Sequence, residues 1–228
     1  LLAGGYTQVC EFHYLHHQPD GKPYDDELAM SRALIDAARS TGIGLTLMPV
    51  LYERAGFAQA ALRPDQRRFA TGAPEVLRMF KALQVLASTS ASQAQSSPLA
   101  VGVAIHSLRA AAPASIAELM RSLEGQAAPI HIHVAEQTAE VDDCLAATGL
   151  RPIEWLTRHV HLDARWQLVH ATHALPQEID AVGASGAGVV ICPSTEANLG
   201  DGIPDTPHWL RSGSGIAIGS DSHVTRAW

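Results

Sequence analysis

The chain has 228 residues, of which 46% are hydrophobic and 17% are charged, so it is long enough to bury one large core and too apolar to be disordered. Its formal net charge of -7 leaves no basic face, and its 16 Lys and Arg residues are scattered, which argues against nucleic acid as a partner. No apolar run is long enough to span a membrane, and no charged segment leads into an apolar one as in a signal peptide, so we expect no membrane partner.

Short runs rich in Val, Ile and Leu alternate with longer segments of helical periodicity, which is the pattern of β/α units around a parallel sheet. Seven strands are predicted, at 6–12, 44–50, 99–105, 129–134, 166–170, 188–192 and 215–219. Helices are predicted at 25–40, from Pro74, from Pro113, and at 140–147, 152–158 and 176–182. Residues 87–98 are rich in Ala, Ser, Thr and Gln, and we expect them to form a loop after the second helix.

Seven strands are one fewer than a TIM-type (β/α)8 barrel requires. The sequence therefore predicts an α/β fold of that kind, present as a partial barrel. The chain begins without Met, and it stops at Trp228, a few residues after the polar run Ser-Asp-Ser-His at 220–223. We expect a single domain over 1–228 that is truncated at both ends.

Polar side chains gather just after the predicted strands, where a barrel of this kind keeps its active site. A single histidine at such a position is more often structural than functional. Here, however, five strand ends carry His or Asp. The full set of polar residues that follow the predicted strands is His13, Tyr14, Tyr52, His106, Arg109, His133, Glu136, His170, His173 and the run 220–223.

The run 129–136 is the most informative of these segments. Alternation places His131 and His133 on one face of the strand, about 6.6 Å apart along it, so only His133 lies at the rim if that face points inward. An imidazole suits a metal such as zinc, and Glu136 can reach over the same place from the loop. His131 is expected to fill a barrel layer or to support the ligand.

Two further residues fit metal-assisted hydrolysis. Asp221 follows a smooth strand, where a carboxylate can bind a divalent cation and accept a proton from water, although a turn or capping aspartate is the alternative. His170 ends another strand and could hold or polarise the attacking water, or be a buried hydrogen-bonded histidine.

The three cysteines, Cys10, Cys144 and Cys192, form no CxxC pair and lie in apolar runs. This spacing favours buried, reduced thiols in a cytoplasmic protein over disulfides. Cys144 falls on a predicted helix and is not expected to be a nucleophile.

The chain resembles the N-formimidoyl-L-glutamate deiminases of the amidohydrolase superfamily. The matching segments run in family order at 11–17, 44–52, 66–69, 106–109, 131–144, 168–173, 192–202 and 219–223. The histidine at the fifth barrel strand and the aspartate at the eighth mark only the superfamily, whereas the runs 12–17 and 196–202 look specific to this activity.

The resemblance implies one divalent metal ion, Zn²⁺, with His133 and Asp221 among its ligands. Glu136 would move protons to the departing nitrogen, and His170 would handle the hydrolytic water. Tyr14, His106 and Arg109 match positions that recognise the carboxylates of the glutamate moiety. The partner would then be a small dicarboxylate substrate of histidine degradation, and a homodimer is the assembly considered.

Two departures from the family pattern affect this interpretation. The remaining zinc ligands of the family are a His-x-His pair on the first barrel strand, and this chain begins after that strand. If these residues are the whole protein, we expect an open barrel that binds metal poorly and is inactive. The run after 196–202 also differs, with Ile203-Pro204-Asp205 where the family usually has Ile-Phe-Pro.

Three alternatives stay open on the sequence. One is another amidohydrolase deaminase acting on a cyclic amidine such as a purine or pterin, although Arg109 and an aromatic content of 5% argue against a flat base. Another is a non-catalytic barrel remnant that lacks the first-strand ligands. A dinuclear hydrolase is less well supported, because His106 stands where a bridging modified lysine would be expected.

Overall fold

A computed structural model of the protein describes residues 1–59, 61–92 and 98–221. The chain divides into two compact units, one made of 1–106 and 110–129 and the other of 107–109 and 130–228. The prediction of one domain over 1–228 stays a prediction.

The first unit is a parallel sheet covered by helices. Its strands are β1 (Gln8–His13), β2 (Gly44–Leu51), β3 (Leu99–Val101) and β4 (Val103–Ile105), and its helices are α1 (Ala29–Thr41), α2 (Ala73–Ser92) and α3 (Pro113–Ser122). β2 pairs with β1, β3 and β4, always in parallel, and all eight of its residues are buried. Burial along a whole strand is expected where helices cover a parallel sheet. The hydrophobic core of the first unit includes Ile35 of α1, Leu45 and Leu47 of β2, and Met79 and Leu83 of α2.

The predicted strand 99–105 is two short strands in the structure, and Gly102 separates them. A Cβ at Gly102 would lie 2.5 Å from the carbonyl oxygen of Pro129, closer than any side chain tolerates. The backbone of Gly102 can therefore approach Pro129, whose carbonyl accepts a hydrogen bond from the amide of Val103 at 3.0 Å. The interruption follows from the missing side chain.

The second unit repeats the same alternation. Its strands are β5 (Ile130–Val134), β6 (Trp166–His170), β7 (Gly188–Ile191) and β8 (Ile216–Ile218), each paired in parallel with the next. Its helices are α4 (Thr138–Thr148), α5 (Pro152–His159), α6 (Pro176–Ser185), α7 (Pro193–Leu199) and α8 (Thr206–Arg211). Because all four strands run in one direction, their carboxyl ends lie at one edge of this sheet.

Several predicted boundaries are wrong for local reasons. α1 begins at Ala29 and not at 25, because Asp26 forms a turn in which its carboxylate accepts hydrogen bonds from the amide of Leu28 and from the guanidinium of Arg32. α2 continues to Ser92, so residues 87–92 are helical where a loop was predicted. Residues 93–97 of that predicted loop lie outside the described residues.

The cysteine prediction is partly wrong. All three cysteines are free, and Cys144 and Cys192 are buried as expected, but Cys10 is exposed. Within the described ranges, no helix combines the length and the apolar character that crossing a bilayer requires.

Candidate active site

Three side chains lie close together at the carboxyl ends of strands in the second unit. His133 lies on β5, His170 ends β6, and Asp221 follows β8. One ligand atom from each lies within 4.8 Å of the other two. The imidazole rings of His133 and His170 are stacked, with their centroids 5.4 Å apart. The parallel strands explain why these residues are close together, because strands that are far apart in sequence end at the same edge of the sheet.

The backbone around this cluster is strained. The non-glycine residues with positive φ in the described part of the chain are Ala135 (50°), His170 (70°), Ala171 (47°) and Asp221 (53°). A left-handed conformation costs a non-glycine residue about 1 kcal/mol or more. Two hydrogen bonds hold the strained turns, from the amide of Ala171 to the carbonyl of Val134 and from the amide of His173 to the carbonyl of Ala135. Such strain is concentrated where a side chain must be aimed at a site.

Glu136 lies between the imidazole of His170 and the guanidinium group of Arg109. Its Oε1 is 3.7 Å from Nε2 of His170, and its Oε2 is 3.7 Å from a terminal guanidinium nitrogen of Arg109. Burial raises the pKa of the Glu136 carboxyl, and the opposing charges of His170 and Arg109 only partly offset this. A carboxyl group with a raised pKa is suited to give up and take back a proton near neutral pH.

His170 contacts a second carboxylate on its other side. Its Nδ1 is 3.2 Å from Oε1 of Glu196, and the same oxygen accepts a hydrogen bond of 2.8 Å from the amide of Cys192. Burial lowers the pKa of His170, but hydrogen bonds with Cys192 and Glu196 and the charge of Glu136 outweigh it and raise the pKa to about 10. His170, Cys192 and Glu196 also satisfy the spacing of a metal cluster. We interpret them as a hydrogen-bonded support for His170, because the Glu196 oxygen already accepts from two donors.

The cluster of His133, His170 and Asp221 fits a divalent cation. Two imidazoles and a carboxylate form a donor set typical of zinc, and His133 and Asp221 are accessible while His170 is buried. His170 was predicted to handle water, and the geometry adds it as a third group within reach of the same cation.

His131 is 7% exposed and lies one layer below His133 on β5, and burial lowers its pKa to about 4. It is therefore a neutral residue of the sheet interior, as expected.

The residues predicted to bind substrate are divided between the units. Arg109 belongs to the second unit, where it faces Glu136. Tyr14 and His106 belong to the first, where their rings are 5.6 Å apart. Phe12, Tyr52 and Phe69 surround them in edge-on and tilted contacts.

Sequence reasoning missed Glu196. The available signal was its place in the run 196–202, but the helix α7 that carries it was not predicted, so its burial could not be anticipated. Two residues of the motif 219–223, Ser222 and His223, lie outside the described residues.

Comparison with known proteins gives three relevant matches. The sequence pattern of the amidohydrolase family matches residues 1–226. The chain is 45% identical over 225 residues to formimidoylglutamate deiminase of Pseudomonas aeruginosa, covering 99% of this chain and 48% of that protein. It is 34% identical over 116 residues to 5-methylthioadenosine/S-adenosylhomocysteine deaminase of Natronomonas pharaonis, covering 51% of this chain and 27% of that one. Its structure matches a crystal structure of an amidohydrolase from Brucella melitensis with a TM-score of 0.90 and 42% identity, covering 98% of this chain and 48% of that one.

Proposed function

The chain belongs to the amidohydrolase family, and we propose that the protein hydrolyses N-formimidoyl-L-glutamate to N-formyl-L-glutamate and ammonia. The observation that carries this proposal is the 45% identity, over 99% of the chain, to a deiminase of that substrate. The chain spans about half the length of that relative, so the activity proposed is that of the whole protein.

The metal we propose is zinc, held by His133 and Asp221 with His170 in reach. A divalent cation bound there would polarise water and lower its pKa toward about 7. The family resemblance implies a His-x-His pair on the first barrel strand as the remaining ligands.

The protein side chains would carry the protons. Asp221 accepts one from the attacking water, and His170 orients that water. The water oxygen then bonds to the formimidoyl carbon, and the carbon-nitrogen bond breaks. Glu136 supplies one proton to the departing nitrogen, and Asp221 passes on the proton that it took from water, so that the nitrogen leaves as ammonia. The hydroxyl group of the tetrahedral centre returns a proton to Glu136 and becomes the formyl carbonyl. The raised pKa of the Glu136 carboxyl supports this role.

Arg109 is the strongest of the proposed substrate-binding residues. A guanidinium group fits a carboxylate in bidentate fashion, and Arg109 already faces a carboxylate, that of Glu136. Tyr14 and His106 remain proposed substrate-binding residues. The same proposal includes a cytoplasmic location and a homodimer.

The test is ammonia release from N-formimidoyl-L-glutamate in the presence of zinc, with an aminopurine nucleoside as the comparison substrate. Both the chain 1–228 and a version extended by the first-strand segment of the Pseudomonas relative should be assayed. We expect release from the formimidoyl substrate in the extended version and loss of release in its Asp221→Asn variant. Release from the nucleoside alone would refute the proposed substrate, and zinc binding without any release would favour a non-catalytic remnant.

One observation favours a second candidate, a deaminase of a cyclic amidine. The low aromatic content argues against this function, but the rings of Phe12, Tyr14 and Tyr52 lie around His106 in the structure. Clustered rings can stack on a flat base. The comparison substrate in the assay above distinguishes this candidate from the first.

A further inference from the structure

Three helices of the second unit that follow strand ends each carry a buried glutamate in their first turn. Each accepts a hydrogen bond from a nearby backbone amide: Glu140 from Glu136 (3.0 Å), Glu178 from Leu175 (2.7 Å) and Glu196 from Cys192 (2.8 Å). This arrangement satisfies amide groups that a helix start leaves without a partner. Helix capping therefore accounts for part of what all three carboxylates do.

Glu196 differs from Glu178 in what else its carboxylate contacts. Oε1 of Glu196 lies 3.2 Å from Nδ1 of His170, whereas the carboxylate of Glu178 pairs with Arg151. Both members of the Glu196–His170 pair are almost fully buried, with exposures of 2% and 1%. Water competes little for the hydrogen bond at that depth, so solvent weakens this contact less than it would weaken an exposed one.

Glu196 is also held firmly in place. Its amide donates to the carbonyl of Cys192 at 3.0 Å, and its own carbonyl accepts from the amide of Asp201 at 2.9 Å. With its backbone fixed on both sides and its carboxylate bound to the Cys192 amide, the side chain has little freedom to follow a moving imidazole. The imidazole must instead adapt to the carboxylate.

We propose that Glu196 is a positioning residue: it accepts the Nδ1 proton of His170 and thereby directs Nε2 toward Glu136 and the cluster formed with His133 and Asp221. The two nitrogens of an imidazole are distinct, and the hydrogen bond made by one decides what the other presents. The other nitrogen of the same ring supports this assignment, because Nε2 lies 3.7 Å from Oε1 of Glu136. The use of His170 in hydrolysis rests on the proposed function, whereas the orientation of its ring does not.

The decisive measurement is NMR of the chain 1–228 labelled with ¹⁵N-histidine and free of metal. The Nδ1 proton of His170 should give a downfield resonance that exchanges slowly with water, and it is assigned by its loss in His170→Gln. In Glu196→Gln the resonance should move upfield and exchange at least about tenfold faster, which corresponds to about 1.4 kcal/mol.

Glu178→Gln is the matched control, because it removes a buried capping carboxylate of the same unit that does not pair with His170. This control variant should lower stability about as much as Glu196→Gln does, and it should leave the His170 resonance unchanged. If Glu196→Gln does not fold, Glu196→Asp gives the same test, because a side chain shorter by one methylene should also shift the resonance.

Absence of the resonance in the unmodified chain, or an unchanged resonance in the Glu196 variants, would overturn the proposal. Neither result depends on substrate, so a failure of the proposed function would be recognised separately. In an active extended version, Glu196→Gln should lower kcat with little change in KM, because the proposed carboxylate-binding groups are untouched.

Discussion

Acid should destabilise the first unit through two buried histidines, His13 and His16. They are 5% and 6% exposed, and their rings are 4.6 Å apart. Burial lowers the pKa of His13 to about 4, and burial together with the charges of His13 and His17 lowers the pKa of His16 to about 3. Both are therefore neutral when folded at pH 5, whereas an unfolded histidine, with a pKa of 6.5, is mostly protonated.

The sign and size of the effect follow from proton linkage. Between pH 6.5 and about 4 the unfolded chain binds more protons than the folded one, so stability falls as the pH falls. From pH 7.5 to pH 5 each histidine should cost about 2 kcal/mol of unfolding free energy, and the pair about 4 kcal/mol. The figure depends little on the folded pKa as long as that value stays well below 5.

Urea unfolding at the two pH values tests this prediction. The double variant His13→Gln/His16→Gln should lose less stability between pH 7.5 and pH 5 than the unmodified chain, by about 4 kcal/mol. Replacement of the exposed His161 by Gln is the control and should leave the pH dependence unchanged. An equal loss of stability in the double variant and the unmodified chain would refute the assignment.

Three further predictions concern packing, metal and substrate. Gly183→Ala should lower stability by about 1–3 kcal/mol in thermal unfolding despite its helical position, because the new Cβ would lie 2.6 Å from the carbonyl oxygen of Ser212. Gly215→Ala is the control: its Cβ enters open space, so its effect on stability should be nearly neutral. Asp221→Asn in the extended version should weaken zinc binding by more than about tenfold in calorimetry, and unchanged affinity would remove Asp221 from the ligands. Arg109→Gln in the same version should raise KM for N-formimidoyl-L-glutamate by about tenfold to a hundredfold, with kcat less affected, and an unchanged KM would contradict carboxylate binding.

The fold class could be predicted because the pattern along the chain is simple. Continuous apolar runs such as 44–50 predict strands buried on both faces, and β2 is buried along its whole length. The α/β barrel class of fold is confirmed by the family match and by the amidohydrolase structure, and the resemblance to the deiminase family is confirmed by the 45% identity to a formimidoylglutamate deiminase. The division of the strand 99–105 was not predicted, because it depends on how closely Gly102 approaches Pro129, which lies 27 residues away.

The candidate site was only partly predictable. His133 and Asp221 could be chosen because each lies at or just after the carboxyl end of a predicted strand, and parallel strands end together. Glu196 could not, because its importance comes from burial and from an oxygen shared by His170 and a backbone amide. The exposed position of Cys10 was also missed; Cys10 lies on β1, where it and Gln8 are the exposed residues.

The left-handed turns after β5 and β6 have a consequence for how the protein fails on heating. Ala135 and Ala171 would relax to an extended conformation as soon as the surrounding contacts loosen, since each gives up about 1 kcal/mol or more by doing so. His170 would be carried away with Ala171, while the buried strands behind it keep their pairing. The geometry of the proposed catalytic residues should therefore be lost at a lower temperature than the secondary structure, so loss of the proposed activity would precede the unfolding seen by circular dichroism.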